Sequence, residues 1–210
     1  MPEIYLPVAY AIFIVSGIVF GLLFLFLFFY PTVRRFLYKN YTIRMYYHRV
    51  NRVVLDRDFY LINNFANKTA DEEEFHIDHI MIGEKYIYCI RDRYYTGTLR
   101  PEAEDDAKWG YYQKKRFSMI GNPIYLNSIR VSRLSMLARM DQSFFISIVL
   151  VNDECVVTPY EAKSDWNFIV SLRNFPKLIA ELERRKVDPL DPDLVAIVAR
   201  DFAELNFNGR

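Results

Sequence analysis

The chain has 210 residues and a formal net charge of +1, and 52% of its residues are hydrophobic and 17% aromatic. This composition excludes disordered, collagen-like and low-complexity proteins, because those classes are poor in aromatic residues or rich in Gly and Pro. Two cysteines cannot form a disulfide framework, so a small secreted scaffold is also excluded. The uneven distribution of the apolar residues further excludes a soluble single-domain enzyme.

The first predicted element is an apolar tract near the N-terminus. Residues 4–33 contain no Asp, Glu, Lys, Arg or His, and residues 9–30 are almost wholly apolar. A helix rises about 1.5 Å per residue, so some 20 residues cross a hydrocarbon layer about 30 Å thick. We therefore predict a transmembrane anchor in residues 1–33, with its span at about residues 8–30. A cleaved signal peptide fits poorly, because the leading MPE has no basic residue and no small-residue cleavage site follows.

A basic stretch follows this tract. Residues 34–57 contain seven basic residues and one acidic residue, whereas residues 58–210 contain 20 basic and 24 acidic residues. Short flanks rich in Lys and Arg stay in the cytoplasm, which predicts a single-pass protein of the cell membrane with its N-terminus outside and its C-terminal domain cytoplasmic. Nucleic-acid binding is a less favoured interpretation of these charges. The basic residues expected to contact anionic lipid headgroups are Arg34, Arg35, Lys39 and Arg44.

The rest of the chain is predicted to form one α/β domain with a mixed sheet. Residues 34–66 are predicted to be a basic juxtamembrane segment and an amphipathic helix, because apolar residues recur at three- and four-residue steps from position 43 to position 65. The α/β domain itself is predicted at residues 67–187, and a C-terminal helix at residues 188–210.

Strands and helices alternate within the predicted domain. Strands are predicted at 75–82, 86–93, 109–117, 144–151 and 155–157, and helices at 122–140, 175–185 and 191–205. Asn122 is the predicted N-cap of the first of these helices, with Pro123 at its first position. Acidic loops at 67–74 and 102–108 are expected to lie in solvent. The apolar side of the 122–140 helix is assigned to Leu126, Ile129, Leu134, Leu137 and Met140.

Residues 75–99, FHIDHIMIGEKYIYCIRDRYYTGTL, resemble the central part of the NERD domain, the nuclease-related domain of the PD-(D/E)xK nuclease superfamily. That family shows an Ile-Asp-His-Val strand, a Gly turn, and a second strand that ends in Glu-x-Lys before an aromatic-x-Gly step. Trp109, Asn122-Pro123 and the apolar strand at 144–151 stand at matching intervals downstream. The resemblance covers roughly residues 44–186 and implies a restriction-endonuclease-like mixed-sheet fold.

The resemblance also implies a metal-dependent nuclease site, of which this chain keeps one residue. In the family an Asp and a Glu hold Mg²⁺ or Mn²⁺, and a Lys orients or activates the attacking water. Position by position, the Asp falls on Asp78, the Glu on Arg91, the Lys on Arg93 and a helix Gln on Leu126. Arg cannot ligate a cation and stays protonated at neutral pH, so neither arginine replaces the lost function. Asp92 does not restore the site, because it points to the opposite face of the sheet.

Several interpretations of the changed site remain open. Asp78 is expected to form an ion pair with Arg91 and Arg93, or the two arginines bind a phosphate or carboxylate group. His76 and His79 lie on opposite faces of one strand, which favours a structural role for these histidines over a metal cluster. The candidate binding residues are therefore Asp78, His79, Arg91 and Arg93.

These inferences predict a membrane-anchored cytoplasmic domain that has lost nuclease activity and acts as a binding or scaffold module. Its expected partners are the lipid bilayer and an unidentified protein, and no catalytic residue or cofactor is expected. The alternative is a metal-dependent nuclease or nucleic-acid-processing protein that holds Mg²⁺ or Mn²⁺ at Asp78.

Overall fold

The structure, a computed structural model, describes residues 5–68 and 72–207. Its first element is one continuous helix, α1, Tyr5–Arg57. The chain divides into two compact units, the first ending at Met45 and the second beginning at Tyr46. In the first unit, the 21-residue segment Tyr10–Tyr30 is apolar and none of it is buried within the protein. This segment is long and apolar enough to cross a membrane.

Part of the predicted basic flank lies outside the described residues. The side chains of Arg34, Arg35 and Lys39 are among those not described, whereas the side chain of Arg44 is exposed. Residues 69–71 of the predicted acidic loop and residues 208–210 of the predicted C-terminal helix likewise lie outside the described residues.

The prediction that the amphipathic helix continues to position 65 is wrong. The helix ends at Arg57, and Asp58 adopts a left-handed φ of 55° that stops it. Tyr60–Lys68 forms the first strand, β1, which pairs antiparallel with the next strand. Beyond Asp58, apolar residues still recur at helical spacing, although this segment forms a strand. Only the pairing of β1 with β2 distinguishes strand from helix here.

The second unit is built on a five-stranded mixed sheet. In chain order the strands are β1, β2 Glu74–Ile82, β3 Ile87–Arg93, β4 Thr98–Arg100, β5 Lys108–Gln113, β6 Arg116–Gly121, β7 Phe145–Val151, β8 Val156–Val157 and β9 Asn167–Ser171. The five-stranded sheet has the order β1-β2-β3-β7-β9, with β1, β2 and β3 antiparallel and β3, β7 and β9 parallel. The remaining helices are α2 Pro123–Ala138, α3 Phe175–Glu183 and α4 Pro192–Leu205. The predicted mixed-sheet α/β class is confirmed.

A second sheet of four strands, in the order β6-β5-β4-β8, was not predicted. The expected single strand at 109–117 is wrong, because β5 and β6 form a hairpin that turns at Lys114. Lys114 adopts a φ of 56°, a conformation that usually selects Gly or Asn. The turn therefore lacks its usual sequence signal.

The core lies between the larger sheet and the helices. All seven residues of β7 are buried, as its apolar run predicts. Helix α2 begins at the predicted Asn122 cap, but its buried stripe differs from the prediction, since Leu126 is 39% exposed. The buried polar Asn127 occupies that stripe and donates through Nδ2 to the Cys89 carbonyl at 3.0 Å. The stripe comprises Pro123, Ile124, Asn127, Val131, Leu134 and Ser135.

Candidate functional site

The candidate site lies where β2 and β3 end their pairing. The ladder between these strands runs from the Ile82–Ile87 pair to the His79–Ile90 pair, and Asp78 and Arg91 follow directly beyond it. On the other side of β2, the β1 register pairs Asn63 with His79 and Phe65 with Ile77 but skips Asn64, which adopts a φ of 52°. Asp78 therefore lies at a local opening in the sheet, where its side chain can reach donors on β3.

Both carboxylate oxygens of Asp78 accept hydrogen bonds from β3. Arg91 Nη1 lies 2.7 Å from Oδ1, and the Asp92 N–H donates to Oδ2 at 2.8 Å. The expected ion pair between Asp78 and Arg91 is thus present. Arg93 does not share it, because Arg93 Nη1 donates to the Asp92 carbonyl at 3.2 Å.

The Arg91 side chain is largely buried, with 18% of its surface exposed. Burial lowers the pKa of Arg91, and the positive charge of Arg93 lowers it further, whereas Asp78 acts in the opposite direction. Arginine nevertheless stays protonated in proteins. Its buried Nε has no hydrogen-bond partner within the described part of the chain. The pair is therefore a fixed ion pair in which the buried Nε donor of Arg91 is unused.

His79 belongs to a second hydrogen-bond network, which also includes Asn63 and Asp92. Its Nδ1 lies 2.6 Å from Asn63 Oδ1, and its Nε2 lies 3.1 Å from Asp92 Oδ2. Because Oδ1 of an amide only accepts, Nδ1 of His79 is the donor in the contact with Asn63. A hydrogen bond between Nε2 and Asp92 Oδ2 then needs a proton on one of these two atoms. Burial raises the pKa of Asp92, and the hydrogen bond from His79 opposes this rise. His79 is buried and His76 is exposed.

The last turns of helix α1 contact β3 next to Asp92. Tyr46, Val50 and Val53 of α1 are buried, and the Tyr46 hydroxyl donates to the Arg93 carbonyl at 2.7 Å. Burial raises the pKa of Tyr46, so the hydroxyl stays a donor. This contact fixes the backbone of β3 beside the Asp78–Arg91 pair.

The donor set at Asp78 does not fit a divalent metal ion. Within residues 5–68 and 72–207, no group of three or more His, Cys, Asp or Glu side chains is arranged to hold a metal. Strand β3 places the guanidinium of Arg91 against the Asp78 carboxylate, where the family has a second carboxylate. Two unit charges 4 Å apart repel by about 4 kcal/mol at an effective dielectric of 20, and a divalent ion doubles this value. No metal-dependent step follows from these residues.

Two features near the site were not predicted from the sequence. Arg130 of α2 donates through Nη1 to the Leu126 carbonyl at 2.7 Å, one turn from the position where the family has Gln. A cleft of about 520 Å³ also opens beside Asp78 and Arg91. Its other lining residues are Asn63, Asn64, Phe65, His76, Ile77 and Asn206. In the sequence, only the four-residue spacing between Leu126 and Arg130, which places both residues on one side of α2, could have indicated that Arg130 lies near the site.

The acidic loop at 102–108 is not wholly in solvent, contrary to the prediction. Glu104 is 6% exposed and accepts the backbone N–H groups of Lys163 and Ser164 at 2.6 and 2.9 Å. Asn167 Nδ2 donates to the same carboxylate at 2.8 Å. Burial alone would raise the pKa of Glu104, but these hydrogen bonds hold it below its usual value. Glu104 therefore fastens its loop to the segment before β9.

The fold and the site together define an α/β domain in which an aspartate–arginine pair occupies the end of two central strands. The family model described as Nuclease-related domain, NERD, matches residues 43–152, just over half of the chain. The chain belongs to this family. The matched range includes Asp78, Arg91, Arg93 and Leu126. No curated protein and no solved structure matches the chain.

Proposed function

We propose that this NERD domain binds a partner instead of cleaving nucleic acid, and that the apolar helix Tyr10–Tyr30 holds it at a membrane. The observation that carries the proposal is the Asp78–Arg91 pair. Oδ1 of Asp78 accepts from the Arg91 guanidinium and Oδ2 accepts from the Asp92 N–H, so the one retained family carboxylate already has two donors.

Metal binding at Asp78 would have to break this arrangement. Removing one partner of a buried ion pair costs about 3–5 kcal/mol, because the other charge stays buried without compensation. The Arg91 and Asp78 side chains are 18% and 28% exposed, so part of that cost applies here. A divalent ion would also meet the charges of Arg91 and Arg93 on the same strand face. These energetic costs support the proposal that the domain holds no divalent metal ion at Asp78.

The proposed membrane role rests on the first unit and on the charge balance. Tyr10–Tyr30 has the length and composition of a span, and residues 34–57 carry seven basic residues and one acidic residue. We propose a single-pass topology with the N-terminus outside and the NERD domain in the cytoplasm, where it contacts an unidentified protein. Protease added to intact cells should spare the domain, and alkaline carbonate should not extract the full-length chain. Loss of residues 1–30 from the mature protein would show that the helix is a cleaved signal.

The catalytic part of the proposal is tested with the full chain in detergent. Single- and double-stranded DNA and RNA are incubated with the protein and Mg²⁺ or Mn²⁺, and we expect no cleavage. Metal-dependent cleavage that Asp78→Ala abolishes would overturn the proposal and establish the nuclease alternative.

A matched gain-of-function variant makes the negative result informative. Arg91→Glu combined with Arg93→Lys recreates the Glu-x-Lys pattern of the family on the same backbone. We expect this double variant to bind Mn²⁺, detected by calorimetry, and the wild type and Arg93→Lys alone to bind none at the same concentrations. Equal Mn²⁺ binding by wild type and double variant would show that Arg91 does not block the site.

A further inference from the structure

We infer that Arg91, Arg93 and Arg130 form a phosphate-binding site that needs no metal ion. We call these three residues the arginine cluster. The inference rests on the proposed binding function and names the ligand chemistry of that site, which is a phosphate group carrying two negative charges. Such a group occurs on a lipid headgroup of the phosphatidic acid type and on soluble phosphate compounds.

The fold brings the arginine cluster together from two elements. Arg91 and Arg93 are two residues apart on β3 and so project from one face of the sheet. Cys89, on the same alternation, packs in a core cluster with Val131 of α2, so α2 covers this face. Arg130 precedes Val131. Asn127 of α2 donates to the Cys89 carbonyl of β3 at 3.0 Å, and Arg130 follows Asn127 by three residues, so Arg130 lies on the same side of α2 as this contact. Burial lowers the pKa of Arg130, and the charges of Arg91 and Arg93 lower it further, in agreement with this placement.

The cluster carries more positive charge than its surroundings neutralise. Asp78 pairs with Arg91, but Arg93 and Arg130 donate to the backbone carbonyls of Asp92 and Leu126. A carbonyl satisfies an N–H donor without cancelling the charge. Among the described residues, no carboxylate lies within ion-pair distance of Arg93 or Arg130. Three arginines and one aspartate therefore leave a local charge of about +2 in a partly buried place.

A phosphate monoester matches this charge and geometry. The planar guanidinium fork binds phosphate oxygens through paired N–H donors, and Arg91 Nε is a buried donor without a partner in the described part of the chain. A carboxylate would cancel only half of the excess charge. The cleft of about 520 Å³ beside Arg91 gives a ligand access from solvent. Asp92 also lies near Arg91, and burial, which raises the pKa of Asp92, opposes the negative charge that it would add.

The site is tested with inorganic phosphate and the full chain in detergent, in the presence of EDTA and at low ionic strength. Binding is measured by calorimetry. We expect saturable binding that weakens about tenfold in Arg93→Gln and in Arg130→Gln, since each removes a charge-assisted interaction. Arg133→Gln is the matched control, because Arg133 lies on the same helix but already pairs with Glu73. This control should change the affinity less than twofold.

Conservative variants separate ligand binding from folding. Arg93→Lys and Arg130→Lys keep the charge but lose the fork, so we expect intermediate affinities together with an unchanged tryptophan spectrum. The two tryptophans, Trp109 and Trp166, both lie in the second unit and report on it alone. Equal losses in Arg130→Gln and Arg133→Gln would overturn the inference, because they would indicate a non-specific effect of net charge.

The two sources of phosphate are distinguished in lipid nanodiscs. If a headgroup is the ligand, discs containing phosphatidic acid should weaken the binding of inorganic phosphate relative to discs of phosphatidylcholine. If a soluble compound is the ligand, both discs should give the same affinity. Absence of phosphate binding, or binding of DNA or RNA without binding of inorganic phosphate, would overturn the inference. Absence of phosphate binding without any nuclease activity would leave the proposed function standing, whereas metal-dependent cleavage would remove both.

Discussion

Arg91 on β3 and Asp78 on β2 are joined by a 2.7 Å ion pair immediately beyond the last backbone pair of their two strands. The ladder ends at the His79–Ile90 pair, and the side chains continue the connection between the strands in its place. The second oxygen of Asp78 accepts the Asp92 N–H, so this backbone group of β3 is paired with a side chain of β2. The pair therefore connects β2 to β3 and also occupies the carboxylate that the family uses to hold a metal ion.

The first prediction concerns the coupling between these two side chains. A double-mutant cycle of Asp78→Asn and Arg91→Met should give a coupling energy of about 1–2 kcal/mol, between the values typical of exposed and fully buried pairs. The free energy of unfolding is measured by urea denaturation of the full chain in detergent, followed by tryptophan fluorescence. The exposed Lys177–Glu181 pair on α3 is the control, with a coupling of at most about 0.5 kcal/mol. Equal coupling in both cycles would contradict the structure.

The second prediction concerns the pH dependence that Asp92 contributes. Burial raises the pKa of Asp92 in the folded state. The stability it contributes is therefore complete below the ordinary aspartate pKa and is lost as the pH rises through the folded value. Asp92→Asn cannot ionise, so its stability relative to the wild type should increase with pH across this window and stay constant above it. Urea denaturation between pH 4 and about pH 7 measures this difference. A relative stability that falls with pH would contradict the assignment.

The third prediction has the opposite sign and concerns Glu104. Hydrogen bonds hold the pKa of Glu104 below its usual value. The stability it contributes is present above the ordinary glutamate pKa and is lost as the pH falls through the folded value. Glu104→Gln should lower the free energy of unfolding by about 1–3 kcal/mol at neutral pH, and the loss should shrink in acid. Glu102→Gln, at an exposed position of the same loop, should change it by less than about 0.5 kcal/mol.

The fourth prediction concerns the two roles of Asn122. Its Oδ1 accepts the N–H groups of Ile124 and Tyr125 at 2.9 and 3.1 Å, and its Nδ2 donates to the carbonyls of Glu104 and Asp106 at 2.6 and 2.8 Å. Asn122→Ala should cost about 2–4 kcal/mol, because it removes the helix cap and leaves buried carbonyls unpaired.

A matched substitution separates these two roles. Asn122→Ser keeps a capping acceptor and loses the amide donors, so it should cost less than Asn122→Ala. Denaturation of the full chain in detergent measures both variants. If Asn122→Ser proved as stable as the wild type, the link between α2 and the acidic loop would contribute nothing to stability.

The elements that the sequence alone determined are those governed by neighbouring residues. Asn122 and Pro123 start α2, Asp191 caps α4, and the Gly83 turn joins β2 to β3, because each depends on hydrogen bonds or φ values within a few residues. The strand β7 was equally clear, since a continuous apolar run is stable only when both faces are covered. The opposite orientations of Arg91 and Asp92 also followed from alternation along one strand.

The tertiary structure decided what depends on contacts between distant segments. Residues 60–68 keep helical spacing, yet they form β1 because β2 supplies hydrogen-bond partners across the hairpin. Glu104 is buried because Ser164 and Asn167, about 60 positions away, supply its donors. Asn127 of α2 reaches the Cys89 carbonyl only because α2 packs across β3. No local propensity encodes these approaches, since they arise from the burial of apolar surface by the whole domain and from the pairing of backbone groups that this burial requires.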